Sequence, residues 1–164
     1  MPDETDASRG PEPVIGAEAP AFRLPLADGR EIELASRRGR NVVVYFYPKD
    51  DTSGCTREAL DFNALRPDFE AAETDIIGIS PDGPASKAKF AKKHGLELDL
   101  AGDETKQVLE SYGVWAEKSM YGRKYMGVER TTFLIDREGR IARIWPKVKV
   151  PGHAQEVLEA ARAL

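Results

Sequence analysis

Tyr45-Phe-Tyr-Pro-Lys-Asp-Asp-Thr-Ser-Gly-Cys-Thr-Arg-Glu58 is the stretch on which the fold turns. It starts inside Val42 to Tyr47, an almost continuously apolar run of the kind that forms a central strand buried on both faces. Pro48 ends that run. Asp51, Thr52 and Ser53 are all residue types that cap helices, because their side-chain oxygens accept from free N–H groups at the first turn. A helix is therefore expected over Gly54 to Leu65, with Leu60, Ala64 and Leu65 at helical spacing and Pro67 marking its decline. Cys55 falls in the first turn of this helix, at the end of a strand and a tight loop.

Working outward, further strands are expected at Glu31 to Leu34, Ile76 to Ser80, Leu98 to Ala101, Thr131 to Ile135 and Ile141 to Trp145. Asp136-Arg-Glu-Gly139 separates the last two, with a glycine to supply the turn of a hairpin. Helices are expected at Ala85 to His94, ended by Gly95, at Glu104 to Tyr112, ended by Gly113, and at Gly152 to Leu164. Strands and helices alternate, then a hairpin and a final helix follow. That order predicts an α/β fold with a central mixed β-sheet flanked by helices.

The chain has 164 residues, which suits one domain with a substantial core. Its net charge is −4, and its lysines and arginines are spread along the whole length, so neither nucleic acid nor a membrane surface is an expected partner. The apolar runs are too short to span a bilayer. Residues 1–13 are acidic, proline-rich and without a hydrophobic stretch, so a disordered tail ahead of a domain at residues 14–164 is expected, with the cytosol as the default compartment. No metal and no cofactor is expected: His94 and His153 lie far apart, and the thiol has no companion at ligand spacing.

Cys55 is the only cysteine. At a helix start, unpaired N–H groups and the positive end of the helix dipole favour the thiolate, which is the nucleophilic form. Thr52 lies three residues earlier, close enough for its hydroxyl to reach the sulfur. Most lone cysteines in cytosolic proteins are small buried apolar residues, and the helix start and the threonine are what set this one apart. Disulfide exchange within the chain is excluded.

Pro48-Lys-Asp-Asp-Thr52-Ser-Gly-Cys55 resembles the Pro-x-x-x-Thr-x-x-Cys motif of the peroxiredoxins, and among them the bacterioferritin comigratory protein, or peroxiredoxin Q, type. Gly16 to Phe22, Phe46 to Pro48, Ile77 to Ser80, Tyr112 to Lys118 and Arg130 to Asp136 agree with the family in order and spacing. The resemblance implies a thioredoxin-like fold and a thiol-dependent peroxidase acting on hydrogen peroxide and organic hydroperoxides. It implies that Cys55 attacks the peroxide and becomes a sulfenic acid, that Thr52 hydrogen-bonds thiolate and peroxide, that Pro48 shields the site, and that Arg130 supplies positive charge. The backbone N–H groups of Gly54 and Cys55 are expected to stabilise the charge that develops on the departing oxygen. Many relatives carry a proline where Ser53 stands and a resolving cysteine where Leu60 stands. Lacking that second cysteine, the chain implies a one-cysteine mechanism, recycled by thioredoxin, glutathione, a glutaredoxin or another thiol, in a monomer or homodimer.

Other residues carry weaker signals. Tyr47, Tyr112, Trp115 and Tyr125 are candidates to line a substrate pocket, although aromatics at these spacings more often pack the core. Glu58, one turn after Cys55, suits the helix dipole or the orientation of Arg130. Arg57 is expected in solvent, Lys49, Asp50 and Asp51 in a solvated loop, and His153 in a local cap. Lys118, Arg123, Lys124, Lys147 and Lys149 read as a solvated basic face. Two further functions compete with the enzyme: a redox relay passing oxidation to a partner through a mixed disulfide, and a non-catalytic interaction domain with an inert Cys55.

Overall fold

The computed structural model describes residues 13–164, and the tail expected over residues 1–13 lies outside them but for Pro13. A five-stranded sheet forms the centre. It contains β3 (Asn41–Phe46), β4 (Thr74–Ser80), β5 (Asp99–Gly102), β8 (Thr131–Ile135) and β9 (Ile141–Trp145), in the order β5-β4-β3-β8-β9. β4 and β5 run parallel to β3, whereas β8 and β9 run antiparallel, so the sheet is mixed. Two small antiparallel pairs stand apart from it: β1 (Arg23–Pro25) with β2 (Glu31–Glu33), and β6 (Trp115–Met120) with β7 (Arg123–Val128). The helices are α1 (Ser53–Ala64), α2 (Arg66–Ala71), α3 (Pro84–His94), α4 (Gln107–Ser111) and α5 (His153–Arg162). No helix among the described residues is long and apolar enough to cross a membrane.

The apolar run of β3 is explained by its neighbours. Val42, Val44 and Phe46 face one hydrophobic cluster with Ile77, Ile79, Phe133, Leu109 and Tyr112, on the side of β1, β2 and α4. Val43, Tyr45 and Tyr47 face the other, with Phe62, Phe69, Phe90, Val157 and Leu158 from α1, α2, α3 and α5. Every β3 residue is therefore buried, and each large side chain so placed stabilises the fold by roughly 1.5–3 kcal/mol. Tyr45 stacks on Phe62 at 4.7 Å and pairs across the ladder with Gly78. A Cβ at Gly78 would stand 2.6 Å from the Tyr45 ring, so only glycine fits there.

Some boundaries differ from those expected. Pro67 does not fade out the first helix: α1 ends at Ala64, and Pro67 sits in the first turn of α2, where its missing N–H is harmless. α4 starts at Gln107 because Lys106 takes a left-handed φ of 64°, and the Asp103 carboxylate accepts from Leu109 N–H at 2.8 Å. The β6–β7 hairpin was not expected from the sequence. Its strands are mostly exposed and polar, with little apolar alternation to reveal them.

Candidate active site

β3 delivers the chain to the site, and the loop from Pro48 to Thr52 turns it into α1. Thr52 is the N-cap residue by position, but its side chain does not cap. Its hydroxyl donates to Lys49 O at 3.0 Å instead. The first intrahelical bond runs from Thr56 N–H to Thr52 O at 2.8 Å, so the N–H groups of Ser53, Gly54 and Cys55 lie ahead of it, at the positive end of the helix.

Cys55 is 1% exposed, so its sulfur is enclosed by the side chains around it. Arg130 stands at the mouth of β8. Its Nη2 reaches Cys55 Sγ at 3.3 Å, and its Nη1 donates to Glu58 Oε1 at 2.6 Å. Gly54 makes room for this guanidinium, since a Cβ there would lie 3.3 Å from Nη2. Glu58 is buried one turn behind the thiol. Burial pushes its carboxyl up to about 7, against the opposing pull of Arg130. It does not face solvent in the service of the helix dipole. Burial also works against the Arg130 charge, but Glu58 and Cys55 outweigh it and hold the guanidinium above its usual range.

Two other cations belong to this neighbourhood. Lys118 on β6 is held below its usual range, by burial first and then by Arg130, with Glu129 and Cys55 opposing. Lys87 on α3 is fully buried and binds Asp50 in the loop at 2.9 Å. Neither signal was legible in the sequence, where Lys118 reads as part of a solvated face and Lys87 as one of several α3 lysines. Asp50 is a correction of the same kind: it is buried, with its carboxylate accepting from Tyr47, Ser86 and Lys87, rather than solvated.

The remaining candidates scatter. Pro48 is half-buried in the loop beside the site. Tyr47 is 1% exposed and gives its hydroxyl to Asp50 at 2.6 Å, which makes it a support for the loop. Trp115 packs against the cluster on the β1–β2 side, with Lys106 Nζ 5.9 Å from its ring. Tyr112 is a core residue donating to Pro20 O at 2.6 Å, and Tyr125 is exposed on β7. Arg57 is exposed and lies 3.5 Å from Asp61. His153 is not a cap: it is buried, with Nε2 2.8 Å from Thr132 Oγ1 and its ring edge-on to Phe62 and Trp145. Among the described residues there is no group of three or more His, Cys, Asp or Glu able to hold a metal ion.

Residues 15–144 match the AhpC/TSA family. A putative peroxiredoxin bcp of Coxiella burnetii is 45% identical over 88% of this chain and 95% of its own length. Peroxiredoxin Bcp of Bacillus subtilis is 43% identical over 90% of this chain and 94% of its own. Among solved structures, the bacterioferritin comigratory protein of Xanthomonas campestris, studied for its alkyl peroxide reduction activity, superposes with a TM-score of 0.86 at 42% identity over 92% of this chain and 98% of that one. Peroxiredoxin Q of the same organism has been solved with one or the other of two cysteines replaced by serine, whereas this chain has a single cysteine. With the family matched across most of its length and the fold shared with thioredoxin-fold relatives, the chain belongs to the AhpC/TSA family, among the peroxiredoxins of the Bcp or peroxiredoxin Q type.

Proposed function

We propose that the protein is a thiol-dependent peroxidase that reduces hydrogen peroxide and organic hydroperoxides through a Cys55 sulfenic acid. The observation that carries this is the 3.3 Å approach of Arg130 Nη2 to Cys55 Sγ within an enclosed helix start. The Cys55 thiolate attacks one peroxide oxygen as the O–O bond breaks. The sulfur is oxidised, and hydroxide or alkoxide leaves and takes a proton to become water or alcohol. Arg130 and the N–H groups of Gly54 and Cys55 stabilise the negative charge as it moves from sulfur to the departing oxygen. The Thr52 hydroxyl turns from Lys49 O to the incoming peroxide, and Pro48 screens the sulfur from water. Tyr47 and Glu58 act through Asp50 and Arg130 respectively, and Trp115 supports the fold by packing on the β1–β2 side.

Recycling uses two external thiols. The first displaces water from the sulfenic acid to form a mixed disulfide, and the second releases Cys55 as thiolate and leaves with the first as a disulfide. The reductant is a cytosolic thiol such as thioredoxin, a glutaredoxin, glutathione or another small thiol. The working unit is the domain at residues 14–164, as a monomer or homodimer. The single cysteine also favours a relay role, because a sulfenic acid with no partner in its own chain persists until a foreign thiol arrives.

Stopped-flow oxidation of the reduced protein by hydrogen peroxide and by an organic hydroperoxide tests the proposal, with Cys55→Ser as control and dimedone trapping of the product. Fast second-order oxidation with a trapped Cys55 sulfenic acid supports the peroxidase; a rate no greater than that of a free thiol rules it out. Continuous peroxide consumption with an added thiol then separates enzyme from relay.

A further inference from the structure

We propose that Lys87 is a positioning residue for the Cys55 chemistry: its buried ammonium, bound to Asp50, Tyr47 and Ser80, fixes the Pro48–Thr52 loop and with it the first turn of α1. The proposal rests on the peroxidase reading and assigns one determinant of its rate.

An ammonium has three donors, and here all three are used inside the protein. Lys87 Nζ donates to Asp50 Oδ1 at 2.9 Å, to Tyr47 Oη at 3.0 Å and to Ser80 Oγ. It also lies 4.8 Å from the centre of the Tyr47 ring. Its side chain is 0% exposed and that of Asp50 is 3% exposed. A buried charge pair of this kind is poor value for stability alone, since apolar side chains of similar volume do as well. What it supplies is a fixed geometry. It ties the end of β3 at Tyr47, the end of β4 at Ser80, the active loop at Asp50 and α3 into one node.

The rest of the loop is anchored to the same helix. Asp50 uses its second carboxylate oxygen for Ser86 Oγ at 2.7 Å, and its backbone N–H donates to Asp82 Oδ2 at 2.7 Å. The next residue, Asp51, takes a left-handed φ of 61° and sends its carboxylate outward, 2.7 Å from both Lys93 Nζ and His94 Nε2 on α3. Two consecutive aspartates thus grip opposite ends of α3, one buried and one exposed. The next residue is Thr52, whose hydroxyl closes the loop on Lys49 O. A shift at Asp50 is passed directly to Thr52 and to the helix start that carries the sulfur. Burial pulls the Lys87 proton affinity down, while Asp50, Asp82 and Cys55 pull it back, consistent with a cation that is held in place by the site it serves.

Lys87→Met removes the cation at nearly constant volume, and Asp50→Asn combined with Lys87→Met removes both charges so that no lone carboxylate remains buried. Two rates are measured per folded molecule: oxidation by hydrogen peroxide, which needs the sulfur, Thr52 and Arg130 in register, and alkylation by iodoacetamide, which needs only an accessible thiolate. A positioning role predicts a loss of about 10-fold or more in the peroxide rate, with alkylation unchanged or faster, since misplacement by about 1 Å costs up to about 10²-fold. The double variant decides the matter where Lys87→Met does not fold. A peroxide rate within about twofold of the parent, or a parallel loss of both rates, overturns the proposal. A parent protein that itself reacts no faster than a free thiol would instead sink the peroxidase reading.

Discussion

Glu58 and Arg130 form the buried ion pair behind the thiol: Glu58 Oε1 accepts from Nη1 at 2.6 Å, which leaves Nη2 free to reach Cys55 Sγ at 3.3 Å. The carboxylate is 1% exposed and the guanidinium side chain 17% exposed, so water does little to blunt their attraction. One residue comes from α1 and the other from the turn before β8. Their pairing holds the guanidinium with its second nitrogen toward the sulfur.

Arg130→Lys tests whether that fork matters. A lysine has one nitrogen and cannot reach Glu58 and Cys55 together as a planar guanidinium does. Arg130→Met removes the charge altogether. The second-order oxidation rate is expected to fall about 10-fold or more for lysine and about 10²- to 10³-fold for methionine. Stopped-flow tryptophan fluorescence reads both, and a methionine variant within threefold of the parent would show that Arg130 plays no part in the chemistry.

Glu58→Gln changes how stability depends on pH. The carboxyl titrates near an ordinary 4.5 in the unfolded chain and near 7 in the folded protein, chiefly because it is buried. Between those values the folded state holds a proton that the unfolded state has released, so raising the pH favours unfolding. The span of the effect is about 3 kcal/mol, fully lost above pH 7. Glutamine cannot titrate. Urea titrations should therefore show the variant gaining on the parent as the pH rises from 4.5 to 7; a constant difference across that window would mean that Glu58 releases its proton at the same pH in the folded and unfolded chains.

The fold was largely legible because its signals are local. Val42 to Tyr47 is apolar on both faces, Gly95 and Gly139 mark ends and turns, and all six expected strands lie in the structure. What stayed hidden depends on partners distant in sequence. Glu58 meets Arg130 across 72 residues, and Lys87 meets Asp50 across 37. Nothing in a glutamate one turn after the cysteine or one lysine among four on a helix announces burial, because the burial is created by the chain that packs over it. The β6–β7 hairpin was missed for the opposite reason. Its strands are largely exposed, so no apolar alternation was needed to make them.

Gly78→Ala should damage the core without touching the site chemistry. The new methyl would meet Tyr45 Cζ at 2.6 Å, and Tyr45 cannot retreat because it is fully buried between Tyr47 and Phe62. Overpacking of this kind costs about 1–3 kcal/mol. The urea midpoint should fall accordingly, while the oxidation rate of the protein that remains folded stays near the parent's. An unchanged midpoint would mean that β3 and β4 separate more easily than their ladder suggests.

His153→Gln gives the mirror image of the Glu58 variant. Burial, with Arg130 adding to it and Glu156 opposing, pulls the imidazole down to about 4 from an ordinary 6.5. As the pH falls from 6.5 to 4, the unfolded chain takes up a proton that the folded protein refuses, and about 3 kcal/mol of stability is lost across that window. Glu58 acts in the other direction over much of the same range, so the parent protein should show a nearly flat stability between pH 4.5 and 6.5, with two opposed slopes cancelling. Glutamine at position 153 can still bond Thr132 Oγ1 but does not titrate. The variant should therefore expose the Glu58 slope alone, with urea midpoints falling steadily from pH 4.5 to 7. Parallel pH profiles for parent and variant would show that His153 takes up its proton at the same pH in the folded and unfolded chains.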